Sequence, residues 1–344
     1  MDECSSSRHP AGPGAESPRS SAHDLVTYPA HELDGTRVLV TGGAGFIGSH
    51  IAHALTPDAD VTVYDSLASG DRSNVPAEAM FVEADVRDGD VLERAVEAAD
   101  VVFHEAAMVS VARSVEEPLA SHEVTAASTL AVLEAARRND ARVVLASSAA
   151  LYGQPETTPI AEPASKRPTS PYGLDKLAAD YYARLYHDLY GLETVALRYF
   201  NVYGPGQPPG EYAGVISVFA EQALADEPIT VEGDGAQTRD FVHVSDVVRA
   251  NLLAATTDAV GEAYNVATGD PISIRRLAER LRALSASESS IVHDDARPGD
   301  IRHSAGSIDR ARERLDFEPT VSISDGLAQT IEWFRARYPR SENR

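Results

Sequence analysis

A strand that runs straight into a glycine-spaced turn is the feature that most constrains this chain. The apolar run Val-Leu-Val-Thr at residues 38–41 is followed by Gly42, Gly45 and Gly48, which lead into a segment with helical apolar spacing. The turn requires a residue without a Cβ, a phosphate must come close to the backbone, and the helix must pack tightly on the strand. The N–H groups of the helix N-terminus then face the anion. This order of elements predicts a dinucleotide-binding unit.

An acidic residue completes this unit at the end of the second predicted strand. Asp65 follows the apolar run 61–64 and lies 20 residues after Gly45. In dinucleotide-binding folds a carboxylate at this position binds the hydroxyls of the adenine ribose. Its charge would repel a 2′-phosphate, so the sequence favours NAD over NADP. The alternative interpretation is an ordinary glycine turn with an aspartate that caps a helix.

Strand-length apolar runs alternate with helical patterns through the first 200 residues. This alternation is typical of an α/β fold in which helices cover both faces of a parallel sheet. Strands are predicted at 37–41, 61–64, 101–104, 142–147 and 194–197. Helices are predicted at 47–55, 89–98, 115–138 and 171–190. We therefore expect a Rossmann-type, doubly wound parallel sheet.

Composition and periodicity divide the chain into a leader, a cofactor domain and a substrate lobe. Residues 1–33 are rich in Ser, Pro, Gly and His and lack periodicity, which predicts a disordered leader. Residues 34–200 are expected to form the NAD-binding Rossmann domain, and residues 238–268 are expected to return to it. A smaller C-terminal α/β lobe that binds the substrate is expected from residues 201–237 and 269–340.

The charge balance and the cysteine count exclude several classes of protein. The 344 residues include 53 acidic and 30 basic ones, and the net charge of −23 opposes nonspecific binding to nucleic acid. No run approaches the roughly 20 apolar residues of a membrane helix. The first thirty residues lack the apolar core of a signal peptide. The single cysteine, Cys4, rules out an internal disulfide framework and cysteine-based zinc sites, so we expect a cytoplasmic protein.

Lysine is nearly absent from this acidic chain. Only Lys166 and Lys176 are lysine among the 30 basic residues, and all the others are arginine. An acidic surface with so little lysine suggests adaptation to high internal salt, where screening relieves the self-repulsion. Codon bias towards arginine is the alternative explanation.

One of the two lysines stands four residues after a tyrosine, in the segment Pro-Tyr-Gly-Leu-Asp-Lys. At helical spacing Tyr172 and Lys176 share a face. The pKa of a free tyrosine is about 10, and an adjacent cation stabilises the phenolate and brings that pKa towards neutrality. The scarcity of lysine argues against a chance pairing of a surface tyrosine with a solvated lysine. The pair therefore predicts proton-transfer chemistry.

Two serines end the apolar run that precedes this pair. Residues 143–146 lead into Ser147 and Ser148, and ligand-facing residues of parallel sheets lie at the carboxyl ends of strands. We expect Ser148 to hydrogen-bond the reacting hydroxyl and to relay its proton. The Ser147 hydroxyl is expected to hydrogen-bond polar groups of the loop, and it is the alternative candidate for the proton relay.

With these residues in place, the chain resembles the extended short-chain dehydrogenase/reductase superfamily and, within it, the UDP-sugar 4-epimerases. The resemblance covers about residues 36–340. The motifs that carry it are TGGAGFIG at 41–48, SS at 147–148 before LYG at 151–153, Tyr172 with Lys176, LRYFNVYG at 197–204, RDFVHVSD at 239–246 and RPGD at 297–300. The first three are typical of the superfamily, and the later ones indicate nucleotide-sugar substrates. In one departure, Thr125 and Ser128 stand where the family usually has Asn and Gly.

The resemblance implies a larger set of site residues and a homodimer. Cofactor contacts are implied at Gly42, Gly45, Phe46, Ile47, Gly48, Asp65, Asp85, Val86, Ala106, Ala107, Tyr172, Lys176 and Phe200. Contacts with the UDP-sugar are implied at Ser148, Asn201, Arg239, Arg297 and Ser304, and the forked donors of arginine suit a diphosphate. No metal is implied. The predicted helices 115–138 and 171–190 are the candidates for pairing across a two-fold axis, as in the homodimers of the family.

The implied reaction is reversible 4-epimerisation of a UDP-sugar through a 4-keto intermediate. Tyr172 takes the proton of the sugar 4-hydroxyl through or beside Ser148, while the C4 hydride passes to tightly bound NAD. The anchored UDP lets the sugar turn without escaping, so the hydride returns to the other face. UDP-glucose and UDP-galactose are the expected pair. Ser304 falls where the family has either a tyrosine or a small residue near the sugar 2-substituent, so UDP-N-acetylglucosamine and its galacto epimer are also expected.

Other nucleotide-sugar enzymes and a non-catalytic role are the alternatives. Ala149 and Ala150 stand where 4,6-dehydratases carry Asp and Glu, and Ala150 stands where decarboxylating relatives carry Glu, which disfavours both reactions. A UDP-glucuronate 4-epimerase or another nucleotide-sugar dehydratase or reductase is left open. A Rossmann sensor that binds NAD and a partner protein commonly lacks the tyrosine or the lysine, and both are present here.

Overall fold

Strands occupy the apolar runs that the sequence predicts. The computed structural model describes residues 30–209, 214–296 and 299–338. In chain order the strands are β1 Arg37–Thr41, β2 Asp60–Asp65, β3 Met80–Glu83, β4 Val101–His104, β5 Arg142–Ser148, β6 Thr194–Tyr199, β7 Asn201–Tyr203, β8 Ile229–Glu232, β9 Thr238–Arg239, β10 Phe241–His243, β11 Glu262–Val266, β12 Ile272–Ser273 and β13 Ile291–Asp294. The α-helices are α1 Phe46–Leu55, α2 Gly89–Glu97, α3 Val111–Glu116, α4 Pro118–His122, α5 Ser128–Asn139, α6 Pro171–Tyr190, α7 Val215–Leu224, α8 Val244–Thr256, α9 Ile274–Leu284, α10 Asp309–Leu315 and α11 Ile323–Arg337.

Seven of these strands form one sheet in the order β11-β6-β5-β4-β1-β2-β3, and every neighbouring pair is parallel. Side chains alternate between two cores, so Val38 and Val40 pack with α1 and α8 while Leu39 packs with α2, α5 and α6. This is the predicted Rossmann-type, doubly wound α/β fold. The strand order reverses between β1 and β4, where the carboxyl ends of the strands open a crevice for a ligand.

The helix predicted at 115–138 begins later than expected, at Pro118, and contains a π-helical turn, but it is helical from there to Asn139. Pro118 begins α4, and the residue before it, Glu117, leaves the helical region with φ −125° and ψ 61°. A π-helical turn then spans Glu123–Ala127 before α5 begins. Within that turn Thr125 Oγ1 accepts a hydrogen bond from Met108 N at 3.2 Å. This hydrogen bond ties the π-helical turn to the loop after β4.

The chain leaves the large sheet after β6 and returns to it with β11, which pairs with β6 at the sheet edge. A separate core joins α7, α9 and α11 through side chains such as Phe219, Leu277 and Phe334. Helix α10 packs instead on the core of the large sheet, through Ala311 and Leu315. Because α10 lies within the segment 269–340 that the sequence assigns to the substrate lobe, that boundary differs in the structure, and the division into a cofactor domain and a substrate lobe stays a prediction.

The described part of the chain begins with a short 3-10 turn, Ala30–Leu33, whose residues Ala30 and Leu33 are buried against the large core. These four residues lie within the predicted leader 1–33, and the rest of that leader lies outside the described residues. Across residues 30–209, 214–296 and 299–338, no helix combines the length and the apolar character needed to cross a membrane.

Candidate active site

Glycines shape the turn that follows β1. Gly42 has a φ of 69°, and a Cβ on it would lie 2.8 Å from the backbone nitrogen of Ala106. A Cβ on Gly48 would lie 2.3 Å from the carbonyl oxygen of Gly42, so α1 approaches the turn this closely only because the residue is glycine. Gly45 is the N-cap of α1 and gives it no side-chain hydrogen bond. The N–H groups of the first helical turn, which contains the half-buried Phe46, are therefore available to an anion.

The carboxylate of Asp65 lies against this turn at the end of β2. Its Oδ2 accepts a hydrogen bond from Ala44 N at 2.9 Å, and its Oδ1 accepts one from Leu67 N at 2.8 Å. Each carboxylate oxygen keeps a further lone pair for a ribose hydroxyl. A phosphate on that ribose would meet a negative charge that is only 8% exposed. The half-buried Ile47 lies close by, in the first turn of α1.

The residues predicted to bind adenine follow β3. Val86 is buried and Asp85 is half-buried. The backbone carbonyl of Asp85 accepts a hydrogen bond from the Tyr64 hydroxyl at 2.7 Å. Its carboxylate is bonded by the Arg87 guanidinium, at 2.7 Å for the nearest nitrogen, and this holds the pKa of Asp85 below its usual range. Together with the glycine turn and Asp65, these residues fit a dinucleotide with an unsubstituted adenine ribose.

A buried histidine supports the turn from behind. His104 Nδ1 and the Thr41 hydroxyl are 2.7 Å apart, and His104 Nε2 and the Thr129 hydroxyl are 3.1 Å apart. Ala106 N also donates to the Thr41 hydroxyl, at 3.4 Å. Burial lowers the pKa of His104 to about 3, so the ring is neutral. Thr41, which His104 holds in place, thereby ties Ala106 to the glycine turn, and both Ala106 and the next residue, Ala107, are half-buried.

The start of α6 brings the predicted proton-transfer residues to the end of β5. Tyr172 is half-buried, and Lys176, one turn later, is 3% exposed. Lys176 Nζ donates a hydrogen bond of 2.6 Å to the carbonyl of Ala146, two residues before Ser148. The hydroxyl of Ser148 lies near enough to that of Tyr172 to lower its pKa. The structure therefore brings Tyr172, Lys176 and Ser148 together, and their catalytic roles stay predictions.

The surroundings of Tyr172 shift its pKa in both directions. Burial raises the pKa of Tyr172, the nearby hydroxyl of Ser148 lowers it, and the charge of Glu105 raises it further. The expectation that Lys176, helped by the positive nicotinamide ring, stabilises the phenolate stays a prediction, and burial and Glu105 act on the pKa of Tyr172 in the opposite direction. Burial also lowers the pKa of Lys176, while the negative charges of Glu105 and then Asp175 raise it.

Ser147 is turned away from Tyr172 into a buried network. Its hydroxyl donates to Asp180 Oδ2 at 3.0 Å. Asp180 accepts two further bonds, of 2.8 and 2.9 Å, from the guanidinium of Arg198, and the two side chains are 0% and 2% exposed. Arg198 also donates to the Tyr152 hydroxyl at 2.9 Å. Because Ser147 serves this network, Ser148 is the strand-end hydroxyl available for proton transfer.

Three residues predicted to contact the substrate gather around β9. Asn201 Nδ2 donates to the carbonyl of Asp240 at 2.8 Å. The backbone N–H of Ser304 donates to the carbonyl of Thr238 at 3.1 Å, and Ser304 is 8% exposed. Arg239, the second residue of β9, lies between these two contacts in sequence.

The guanidinium of Arg239 already has partners in this structure. It donates to the carbonyl of Ile301 at 2.5 Å and is hydrogen-bonded to the carboxylate of Asp300. A diphosphate at Arg239 would therefore use the guanidinium donors that these partners leave free. The fourth predicted substrate residue, Arg297, lies outside the described residues.

Phe200 occupies a small core rather than an open crevice. It is 6% exposed and packs with a cluster that includes Leu151, Tyr152 and Ile308. A Cβ on Gly306 would lie 2.8 Å from the Phe200 ring, so the segment 304–308 passes directly over it. The contact between Phe200 and the cofactor stays a prediction.

Glu105 is the residue of this site that the sequence analysis missed. It follows β4 directly, and its N–H donates to the carbonyl of Thr41 at 3.1 Å. Its carboxyl Oε1 accepts a hydrogen bond of 2.8 Å from the Tyr199 hydroxyl. An acid directly after a buried parallel strand is a usable signal, because ligand-facing residues lie at the carboxyl ends of such strands.

Residues 38–267 match the model of the NAD dependent epimerase/dehydratase family. The chain belongs to this family. NAD is therefore its cofactor, and the glycine turn and the carboxylate of Asp65 fit that molecule. The sequence-based resemblance to the extended short-chain dehydrogenase/reductase superfamily and its UDP-glucose 4-epimerases is confirmed.

Relatives and solved structures agree with this assignment. A putative UDP-glucose 4-epimerase of Methanocaldococcus jannaschii is 38% identical over 302 residues, which cover 87% of this chain and 98% of the relative. The crystal structure of UDP-glucose 4-epimerase from Thermotoga maritima with UDP-glucose is similar with a TM-score of 0.85 and 37% identity, over 88% of this chain and 99% of that one. A UDP-N-acetyl-alpha-D-glucosaminuronate decarboxylase of Bacillus cytotoxicus is 34% identical over 87% of this chain and 98% of its own length. The family therefore includes several reactions on nucleotide sugars.

Proposed function

We propose that this protein is an NAD-dependent UDP-sugar 4-epimerase that interconverts UDP-glucose and UDP-galactose. The observation that carries the proposal is the grouping of Tyr172, Lys176 and Ser148 at the end of β5, followed directly by Ala149 and Ala150. A 4-keto sugar formed there faces methyl groups on this turn, where elimination of water would need an acid and a base. The similarity to UDP-glucose 4-epimerases over nearly nine-tenths of the chain supports the same assignment.

In the proposed reaction Tyr172 is the proton-transfer residue. Its hydroxyl oxygen takes the proton of the sugar 4-hydroxyl, directly or through the hydroxyl of Ser148, and returns it in the reverse step. NAD, when bound, supplies an acceptor for the hydride of sugar C4 and a positive charge. The Lys176 ammonium, held by the carbonyl of Ala146, stabilises the phenolate against the desolvation that raises its pKa.

Epimerisation also requires that the sugar turns while the nucleotide stays bound. We assign the anchoring of the UDP to Asn201 and Arg239, with Arg297 as a further donor. Arg239 binds the diphosphate through donors of its guanidinium that do not bond Asp300, and the forked arrangement of these donors suits a diphosphate. Binding energy from the nucleotide thereby holds the oxidised sugar for its return.

The small side chain at position 304 supports acceptance of a larger sugar. A serine at this point leaves room for an N-acetyl group on C2, so we propose that UDP-N-acetylglucosamine is also epimerised. A UDP-N-acetylglucosamine 4-epimerase of Methanobrevibacter ruminantium, with a TM-score of 0.85 and 37% identity, is similar to this chain. Ser304→Tyr should abolish turnover of UDP-N-acetylglucosamine and leave that of UDP-glucose. An equal loss on both substrates would count against this role.

We further propose that the protein forms a homodimer through α6 and the helices before α5. Helix α6 exposes Leu174, Leu185 and Leu189, at 57%, 44% and 60% of their surface. Helix α4 adds Leu119, which is 80% exposed. An apolar stripe of this kind on a long helix favours association with a second copy.

Product analysis tests the proposed reaction. The purified protein is incubated with UDP-glucose, UDP-N-acetylglucosamine and UDP-glucuronate, and the products are resolved by NMR. We expect UDP-galactose from UDP-glucose, and its loss in Tyr172→Phe. Ser148→Ala should reduce kcat by roughly 10²–10⁴-fold, whereas Ser147→Ala is the matched control that retains the proton-transfer hydroxyl. A deoxysugar product would indicate a dehydratase, and tight NAD binding without turnover of any substrate would indicate a sensor.

A further inference from the structure

A half-buried acid, Glu105, stands beside the proposed proton-transfer pair without a part in the reaction described above. Glu105 begins the loop after β4, between the fully buried His104 and the half-buried Ala106. Strand β4 neighbours both β1 and β5 in the sheet, so this loop lies between the glycine turn and the strand that ends at Ser148. Withdrawing a carboxylate from water costs free energy unless a partner compensates its charge. An acid at this position therefore suggests a role in the site.

We propose that Glu105 is a positioning residue of the active site, which acts on the charges of Lys176 and Tyr172 and so determines the pH range in which this pair works. The inference rests on the proposed function, because it assigns Glu105 a role towards the pair that performs proton transfer.

A hydrogen-bonded chain holds the Glu105 carboxyl in place. The Tyr199 hydroxyl donates to its Oε1 at 2.8 Å, and Asn251 Nδ2 donates to the Tyr199 hydroxyl at 2.8 Å. Asn251 is anchored in turn by a bond of 2.9 Å to the carbonyl of Val247 in α8. Tyr199 is the register partner of Ser148 across β5 and β6. The ends of β5 and β6 therefore carry Ser148 and Tyr199 side by side, and Tyr199 holds the Glu105 carboxyl.

The charged and titratable groups that face Glu105 come from two elements. From α6 they are Lys176, whose charge lowers the pKa of Glu105, and Tyr172, whose pKa is raised by Glu105. From β6 it is Tyr199, whose hydrogen bond also lowers the pKa of Glu105. Burial opposes both effects and raises the pKa of Glu105 overall.

Lys176 is faced by two further groups besides Glu105. Asp175, on the same helix, raises the pKa of Lys176. His104, on β4, is neutral, and the charge of Lys176 lowers its pKa. Asp175 is itself bonded by the hydroxyl of Ser121 at 2.7 Å and by His122 Nδ1 at 2.9 Å. Of the two acids, Glu105 exerts the larger effect on the pKa of Lys176.

The sign of the effect follows from these contacts. An ionised Glu105 keeps Lys176 protonated to higher pH and makes the phenolate of Tyr172 harder to form. Removing the charge should therefore lower the pKa of both groups, and both limbs of the pH profile should move towards acid. A merely structural role would lower activity without moving either limb.

The lysine content of the chain allows a direct test that needs no turnover. Lys166 and Lys176 are the only lysines, so the protein labelled with [13C]lysine shows two side-chain Cε signals, and Lys166→Arg assigns them. The Cε shift of Lys176 is followed against pH in the wild type and in Glu105→Gln. We expect its midpoint to fall by about 1 pH unit in the variant, as for loss of an opposite charge nearby. The exposed Glu97→Gln on α2 is the charge-matched control and should leave the midpoint unchanged.

Two more variants keep the test decisive if Glu105→Gln folds poorly. Glu105→Asp keeps the charge and should restore a midpoint near that of the wild type. Tyr199→Phe removes the bond that lowers the pKa of Glu105, so it should shift Lys176 in the same direction as Glu105→Gln but less. An unchanged Lys176 midpoint in folded Glu105→Gln, or in Tyr199→Phe if the first variant is unfolded, would overturn the proposal.

The pH profile of kcat/KM with UDP-galactose separates this inference from the proposed function. We expect both limbs of the Glu105→Gln profile to shift to lower pH, and a uniform loss with fixed limbs would overturn the proposal. If the Lys176 midpoint moves but no UDP-sugar is converted by the wild type, the proposed reaction fails while the charge relation between Glu105 and Lys176 stands.

Discussion

Acidification should destabilise this protein through one buried histidine. The Thr129 hydroxyl donates to the carbonyl of Thr125 at 2.6 Å, so it accepts from His104 Nε2. Nδ1 of His104 is then the acceptor for the hydroxyl of Thr41. A second proton on this ring would remove that acceptor and place a charge in a site that is 1% exposed. Because Thr41 directly precedes the glycine turn, acid should loosen the cofactor site as well.

The size of the effect follows from the pKa of His104, which burial lowers from 6.5 to about 3. Below pH 6.5 the unfolded chain binds a proton that the folded chain does not, so stability falls as the pH decreases towards 3. Each pH unit in this window costs about 1.4 kcal/mol. Between about pH 7.5 and pH 5 the loss from this one residue is therefore roughly 2 kcal/mol.

The assay is urea denaturation at fixed ionic strength for the wild type and for His104→Gln, whose amide can donate to Thr129 and accept from Thr41 without titrating. The difference between the two free energies of unfolding isolates His104 from the 53 acidic residues, which titrate alike in both proteins. We expect the wild type to lose roughly 2 kcal/mol more than the variant over this range. Parallel pH dependences would refute the reasoning.

Four further predictions concern stability, cofactor binding, assembly and salt. Arg198→Leu leaves Asp180 buried with weaker compensation and should lower the free energy of unfolding by about 3 kcal/mol in urea denaturation; a loss below 1 kcal/mol would contradict a stabilising pair. Gly48→Ala should lower the free energy of unfolding by about 1–3 kcal/mol and weaken NAD binding in calorimetry. Gly89→Ala is the control, because a Cβ on Gly89 meets nothing within 4 Å. Equal effects of the two substitutions would contradict the close approach of α1 to the glycine turn. Leu185→Glu combined with Leu189→Glu should convert a dimer into a monomer in light scattering, and an unchanged mass would place the interface elsewhere. Because salt screens the repulsion within a net charge of −23, raising potassium chloride from millimolar to molar should raise Tm by several degrees. An unchanged Tm would favour codon bias as the reason for the scarcity of lysine.

Elements whose signals are local in sequence were predictable. Helix α6 has the predicted bounds Pro171–Tyr190, because Ser170 caps its start and Gly191 ends it in the left-handed conformation. Strand β4 also has its predicted bounds, since a fully buried parallel strand is a continuous apolar run. Strand β3, Met80–Glu83, was missed because it is a short edge strand with no buried residue. Its place in the sheet depends on pairing with β2.

In the candidate site, too, the features with local sequence signals were predictable and those that depend on distant residues were not. The glycine turn and the spacing of Tyr172 and Lys176 are short motifs that a single sequence displays. The sequence already favours Ser148 over Ser147, but the partner that occupies the Ser147 hydroxyl, Asp180, lies 33 residues away and was not predictable. The partner of Glu105 lies 94 residues away. Burial at such junctions of distant segments also sets the pKa of Tyr172, and spacing along the chain carries no information about it.

The return of the chain to the large sheet has a consequence for dissecting the molecule. Strand β11 pairs along β6 but is encoded some sixty residues later, after the excursion through β7 to β10. A recombinant fragment that stopped at residue 200 would contain the complete glycine turn and yet present β6 as a bare row of unpaired amides and carbonyls. Such a truncation should aggregate, and limited proteolysis between β6 and β11 should leave two pieces that stay associated until denaturant separates them.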